Sequence, residues 1–62
     1  MLNIETCLKG SKAPFAAFIL ASDAYEFMQT QPLEICCYKI KGTGKLLPGT
    51  VTFDELLEAT YN

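Results

Sequence analysis

Apolar and polar positions alternate over residues 2–8. Leu2, Ile4, Thr6 and Leu8 fall on one side; Asn3, Glu5 and Cys7 fall on the other. A period of two marks a half-buried strand. Lys9-Gly10-Ser11-Lys12 follows as a connection, with Gly10 permitting a tight turn.

The period then changes. Wound as a helix, the segment from Ser11 to Gln31 gathers Lys12, Ser22, Asp23, Glu26, Gln29 and Thr30 into an arc of about 120°, with Ile19 the exception. Ser11 is placed as an N-cap, Pro14 is tolerated in a first turn, and Pro32 stops the helix near Thr30. A second reading divides the same segment. Phe15 to Ala21 becomes a buried strand, and Asp23 caps a shorter helix with Glu26 at its third position.

Leu33 to Lys41 is apolar on both sides: Leu33, Ile35 and Cys37 on one, Cys36, Tyr38 and Ile40 on the other. Such a strand suits the middle of a sheet. Gly42-Thr43-Gly44 supplies a hairpin turn, Lys45 to Leu47 a short return strand, and Pro48-Gly49 a type II turn signal. Thr52-Phe53-Asp54-Glu55 reads as a capping box, with Val51 placed to staple onto Leu56. Phe53, Leu56, Leu57 and Tyr61 then share one helical face.

The assembled expectation is one small α+β domain over residues 1–62, β-α-β-β-α, with a three-stranded sheet packed by one long and one short helix. The divided reading makes it ββαββα. No internal repeat or low-complexity tract interrupts the chain.

Composition narrows the chemistry. The chain has 62 residues, half of them apolar and 19% charged, which is more apolar surface than so small a sphere hides. A homo-oligomer or a partner protein is therefore expected to cover some of it. Phe15, Tyr38 and Tyr61 are the candidate interface anchors, since exposed aromatic rings serve that role. The formal charge is −2, all five basic residues are lysine, and His is absent. Without arginine or a basic surplus, nucleic acid is not an expected partner. Without His there is no ordinary general base near neutrality, and no catalytic residues are assigned.

Cys7, Cys36 and Cys37 make an odd count, which suits reduced thiols better than a disulfide scaffold. Adjacent strand residues point to opposite faces, so Cys36 and Cys37 cannot grip one ion together. No metal or cofactor is expected. The apolar run from Ala13 to Ala21 is shorter than the ~20 residues a membrane span needs, and a cytoplasmic location is expected.

Two functions follow. The first is a non-enzymatic protein-interaction module that self-associates and occupies a partner protein's surface, as a phage or mobile-element inhibitor would. The second binds a small anionic ligand, a nucleotide or another phosphate-bearing molecule. If the first and second strands run parallel, Lys9, Gly10, Ser11 and Lys12 meet Lys39, Lys41, Thr43 and Lys45 at one pole, beside the N–H groups of the long helix.

Overall fold

The computed structural model describes residues 3–11 and 13–61. Leu2, expected in the first strand, and Lys12, expected in the lysine cluster, lie outside them. The elements are β1 (Ile4–Leu8), β2 (Ala16–Phe18), α1 (Ala21–Met28), a 3₁₀ turn (Leu33–Ile35), β3 (Cys36–Ile40), β4 (Lys45–Pro48) and α2 (Phe53–Tyr61). The four strands form one antiparallel sheet in the order β2-β1-β3-β4. The expected α+β class is what folds, in the ββαββα arrangement.

The single helix over residues 11–30 is replaced by a strand and a shorter helix. Ala16–Phe18 pairs with β1 from Ile4↔Phe18 to Thr6↔Ala16, so the backbone groups on the outer side of β1 are met by a neighbouring strand. Phe15 N–H also donates to the Thr6 carbonyl at 2.9 Å. Winding begins only at Ala21. Asp23 lies in the first turn and is not the N-cap; Leu20 holds that position without a side-chain cap.

One face of the sheet carries both helices. Ile4, Cys36, Tyr38 and Ile40 are buried there with Ala21, Ala24 and Met28 of α1 and Leu56 and Ala59 of α2. The α1 residues recur at i, i+3 and i+7, the spacing of a core-facing helical stripe. Thr6 is also buried, its hydroxyl donating to the Ala16 carbonyl at 3.4 Å. Phe27 spans the α1–β2 seam, its ring 5.8 Å from Phe15 and 5.4 Å from Phe18. Tyr25 meets Phe53 edge-on at 5.4 Å and ties α1 to α2.

The topology repeats a ββα unit, residues 4–28 and then 36–61, with β1 and β3 side by side at the centre. The repetition is architectural; it leaves no repeat visible in the side chains.

The capping box forms as its spacing predicts. Glu55 N–H donates to Thr52 Oγ1 at 3.2 Å, and Thr52 N–H donates to Glu55 Oε1 at 3.1 Å. Val51 packs against the core cluster that holds Leu56. The turn over residues 41–44 closes on Gly44, whose φ of 72° is open to glycine at no steric cost. Gly49 is required for a different reason than a type II turn, since its φ is not positive. A Cβ there would lie 2.6 Å from the Leu33 carbonyl oxygen and 3.0 Å from that of Cys36.

Candidate functional site

Both α1 and α2 pack with Ile4, Cys36, Tyr38 and Ile40, and neither belongs to the other face of the sheet. Strand alternation puts Glu5 and Cys7 of β1, and Cys37 and Lys39 of β3, on this side, opposite the buried Thr6, Cys36 and Tyr38. These four residues line a shallow pocket of about 530 Å³. The β1–β2 connection contributes Gly10, Ser11 and Pro14 to its wall, and Gly44 and Leu46 complete it from the other hairpin. Ser11 holds that connection in a local turn, accepting from the Ala13 N–H at 3.3 Å.

The antiparallel β1–β3 pairing, Ile4↔Ile40 through Leu8↔Cys36, overturns the expected lysine pole. Lys9 follows the end of β1 that pairs with Cys36, whereas Lys41, Thr43 and Lys45 lie at the opposite end of the sheet. Gly10, Ser11 and Lys39 still share the pocket; Lys41 does not line it but is paired with Glu5, which does, at 3.7 Å from Oε2. Lys45 borders the α2 side, near Glu55 and Glu58. The Thr43 hydroxyl accepts from the Lys45 N–H at 3.3 Å and so serves its own turn. Among the described residues the α-helices begin at Ala21 and Phe53, so the helix expected to start in the 9–12 loop does not form there.

The three interface candidates separate. Tyr38 is 0% exposed, under the helices, and is no surface anchor. Its hydroxyl is buried without a hydrogen-bond partner among the described residues, and burial pushes its pKa up to about 12. Phe15 is partly exposed against Phe27. Tyr61 stands 78% exposed near the end of α2.

Two features escaped the sequence pattern. First, Cys7 and Cys37 are directly opposed across β1 and β3, with their Sγ atoms 3.1 Å apart. Burial pushes the Cys7 thiol up to about 11, and the neighbouring Cys37 adds to the rise. Only the strand register reveals this pair. Second, the two sheet edges differ. β4 carries Lys45 and Pro48, which discourage further strand pairing. β2 lies within residues 13–22, a segment without a charged side chain, and is followed by Ile19 and Leu20, 55% and 57% exposed. The absence of charge over 13–22 was the available signal, but it carries meaning only once β2 is known to be an edge.

Among the described residues no group of three or more His, Cys, Asp or Glu side chains is placed to hold a metal ion. No helix among them is long and apolar enough to cross a membrane. Comparison with known proteins finds no family model, no curated protein and no solved structure that matches this chain.

Proposed function

We propose that this chain is a small non-enzymatic interaction module whose first partner is a second copy of itself, joined edge to edge through β2. The observation that carries this reading is the contrast between the two edges of the sheet. A strand at an edge presents unpaired N–H and C=O groups, and proteins usually protect such an edge with lysine, proline or a bulge. β4 has two of these devices; β2 has neither. Proline 14 precedes β2 and leaves its three residues free to pair.

A second copy suits this edge better than an unrelated peptide. Antiparallel pairing of identical strands about a two-fold axis is self-complementary. Each chain carries a net charge of −2, yet residues 13–22 bring no charge to the junction, so like charges are not forced together there. Phe15, Ile19 and Leu20 flank the strand, and pairing would remove apolar surface on them from water. The paired sheet would run through eight strands, and Tyr61 and Leu46 would remain exposed for a further partner protein.

The test is the mass in solution by light scattering over a concentration series. The unchanged chain is expected to give a dimer, and Ile19→Lys, adding a charge beside β2, a monomer with the same circular dichroism. Leu46→Lys, on the opposite edge, is expected to leave the dimer intact. A monomer from the unchanged chain at every concentration, or a dimer lost through Leu46→Lys but kept in Ile19→Lys, would overturn the reading.

A further inference from the structure

We propose that Cys7 and Cys37 form a dithiol site on the face of the sheet away from the helices, closed to a cross-strand disulfide by a low-molecular-weight disulfide. The two residues are register partners in adjacent antiparallel strands, so no backbone rearrangement is needed to bring them together. Directly opposed residues in such a pair have Cα atoms about 4.5–5.5 Å apart, inside the ~4.4–6.8 Å that disulfides bridge. Their Sγ atoms are already in contact at 3.1 Å.

The surroundings divide the work between the two sulfurs. Cys37 is partly exposed and borders the pocket, so an incoming disulfide reaches it first. Cys7 is 6% exposed at the same pocket, so a bulky reagent reaches it less readily than Cys37. Burial and the adjacent sulfur keep Cys7 protonated at neutral pH, so it acts second, as the resolving thiol. Cys36 takes no part: it is fully buried on the helix-covered face. The odd cysteine count thus resolves into one reactive pair and one core side chain.

The chemistry balances as ordinary thiol–disulfide exchange. The Cys37 thiol gives its proton to solvent, and its sulfur attacks one sulfur of the reagent. A Cys37 mixed disulfide forms, and the first thiolate leaves. That thiolate takes the Cys7 proton. Cys7 sulfur then attacks Cys37 Sγ, forming the protein disulfide and expelling the second thiolate, which solvent protonates. Two protein thiols lose two electrons in all, and one small disulfide becomes two small thiols. The bond would join the two ββα units through their central strands, a long-loop closure of the kind that restricts the unfolded chain.

Oxidised glutathione is the probe, added to the purified chain, with intact mass and non-reducing peptide mapping as readouts. The unchanged chain is expected to lose the mass of two hydrogens, with Cys7 and Cys37 peptides linked and Cys36 free to alkylate on unfolding. Cys36→Ala should close in the same way. Cys7→Ser should stall as a glutathione adduct on Cys37, and Cys37→Ser should take up far less glutathione. A stable glutathione adduct on the unchanged chain, a bridge that includes Cys36, or chain-to-chain disulfides alone would overturn the assignment.

Discussion

Gly49 N–H donates to the Cys36 carbonyl at 2.9 Å, and this contact leaves no space for a side chain on Gly49. The residue that follows β4 is thereby pressed against the start of β3. The nearest atoms that a Cβ would meet are all backbone, the carbonyl oxygens of Leu33 and Cys36 and the carbonyl carbon of Cys36, so none can swing aside as a side chain would.

Gly49→Ala should therefore destabilise the fold by about 1–3 kcal/mol, the usual range for overpacking a close contact. Urea denaturation measures it. Gly42→Ala is the matched control: its Cβ meets nothing within 4 Å and its φ is not positive, so a small effect is expected there.

Thr52→Ala removes the hydroxyl that accepts from Glu55 N–H. A lost N-cap costs about 1 kcal/mol, and Thr52→Ser should recover most of it. The same denaturation experiment reads both variants.

Tyr38→Phe should leave the fold unchanged or stabilise it by about 1 kcal/mol, because it deletes a buried hydroxyl that has no partner among the described residues. The ring is fully buried, so Tyr38→Ala should behave in the opposite way and lose about 3–5 kcal/mol with the cavity it leaves.

Alkaline pH should weaken the fold in two overlapping stages. Cys7 titrates at 9.0 in the unfolded chain and at about 11 in the folded one; Tyr38 moves from 10.0 to about 12. Between each pair of values the unfolded chain has released a proton that the folded chain still holds, so stability falls as pH rises. Both contributions are whole below pH 9.0 and are lost progressively up to about pH 12. Thermal melts from neutral to strongly alkaline pH check this, and Tyr38→Phe should flatten the upper part of the decline.

How much of this was readable in the chain depends on the range of the interaction. The Thr52–Glu55 cap spans three residues, and its partners name each other in the sequence. The alternation in β1 and the turn before Lys45 are equally local. Residues 11–30 were ambiguous because a helix and a strand are both locally acceptable there. The choice is made by β1, which pairs with Ala16–Phe18 from outside the segment. Strand direction is also a long-range matter, and with it went the lysine pole. β3 is apolar on both sides, so nothing in its own pattern says which side the helices cover. That is why the pattern alone is compatible with Tyr38 at a surface, and why it does not reveal the opposition of Cys7 and Cys37.

Edge pairing through β2 is tested most directly by amide hydrogen exchange across a concentration series. The outward-facing amides within Ala16–Phe18 should slow as the chain is concentrated, while those of the β4 edge keep a constant rate. Ile19→Lys should abolish the slowing. Constant exchange in β2 at concentrations where light scattering reports a dimer would contradict the proposal, because the chains would then be meeting through another surface.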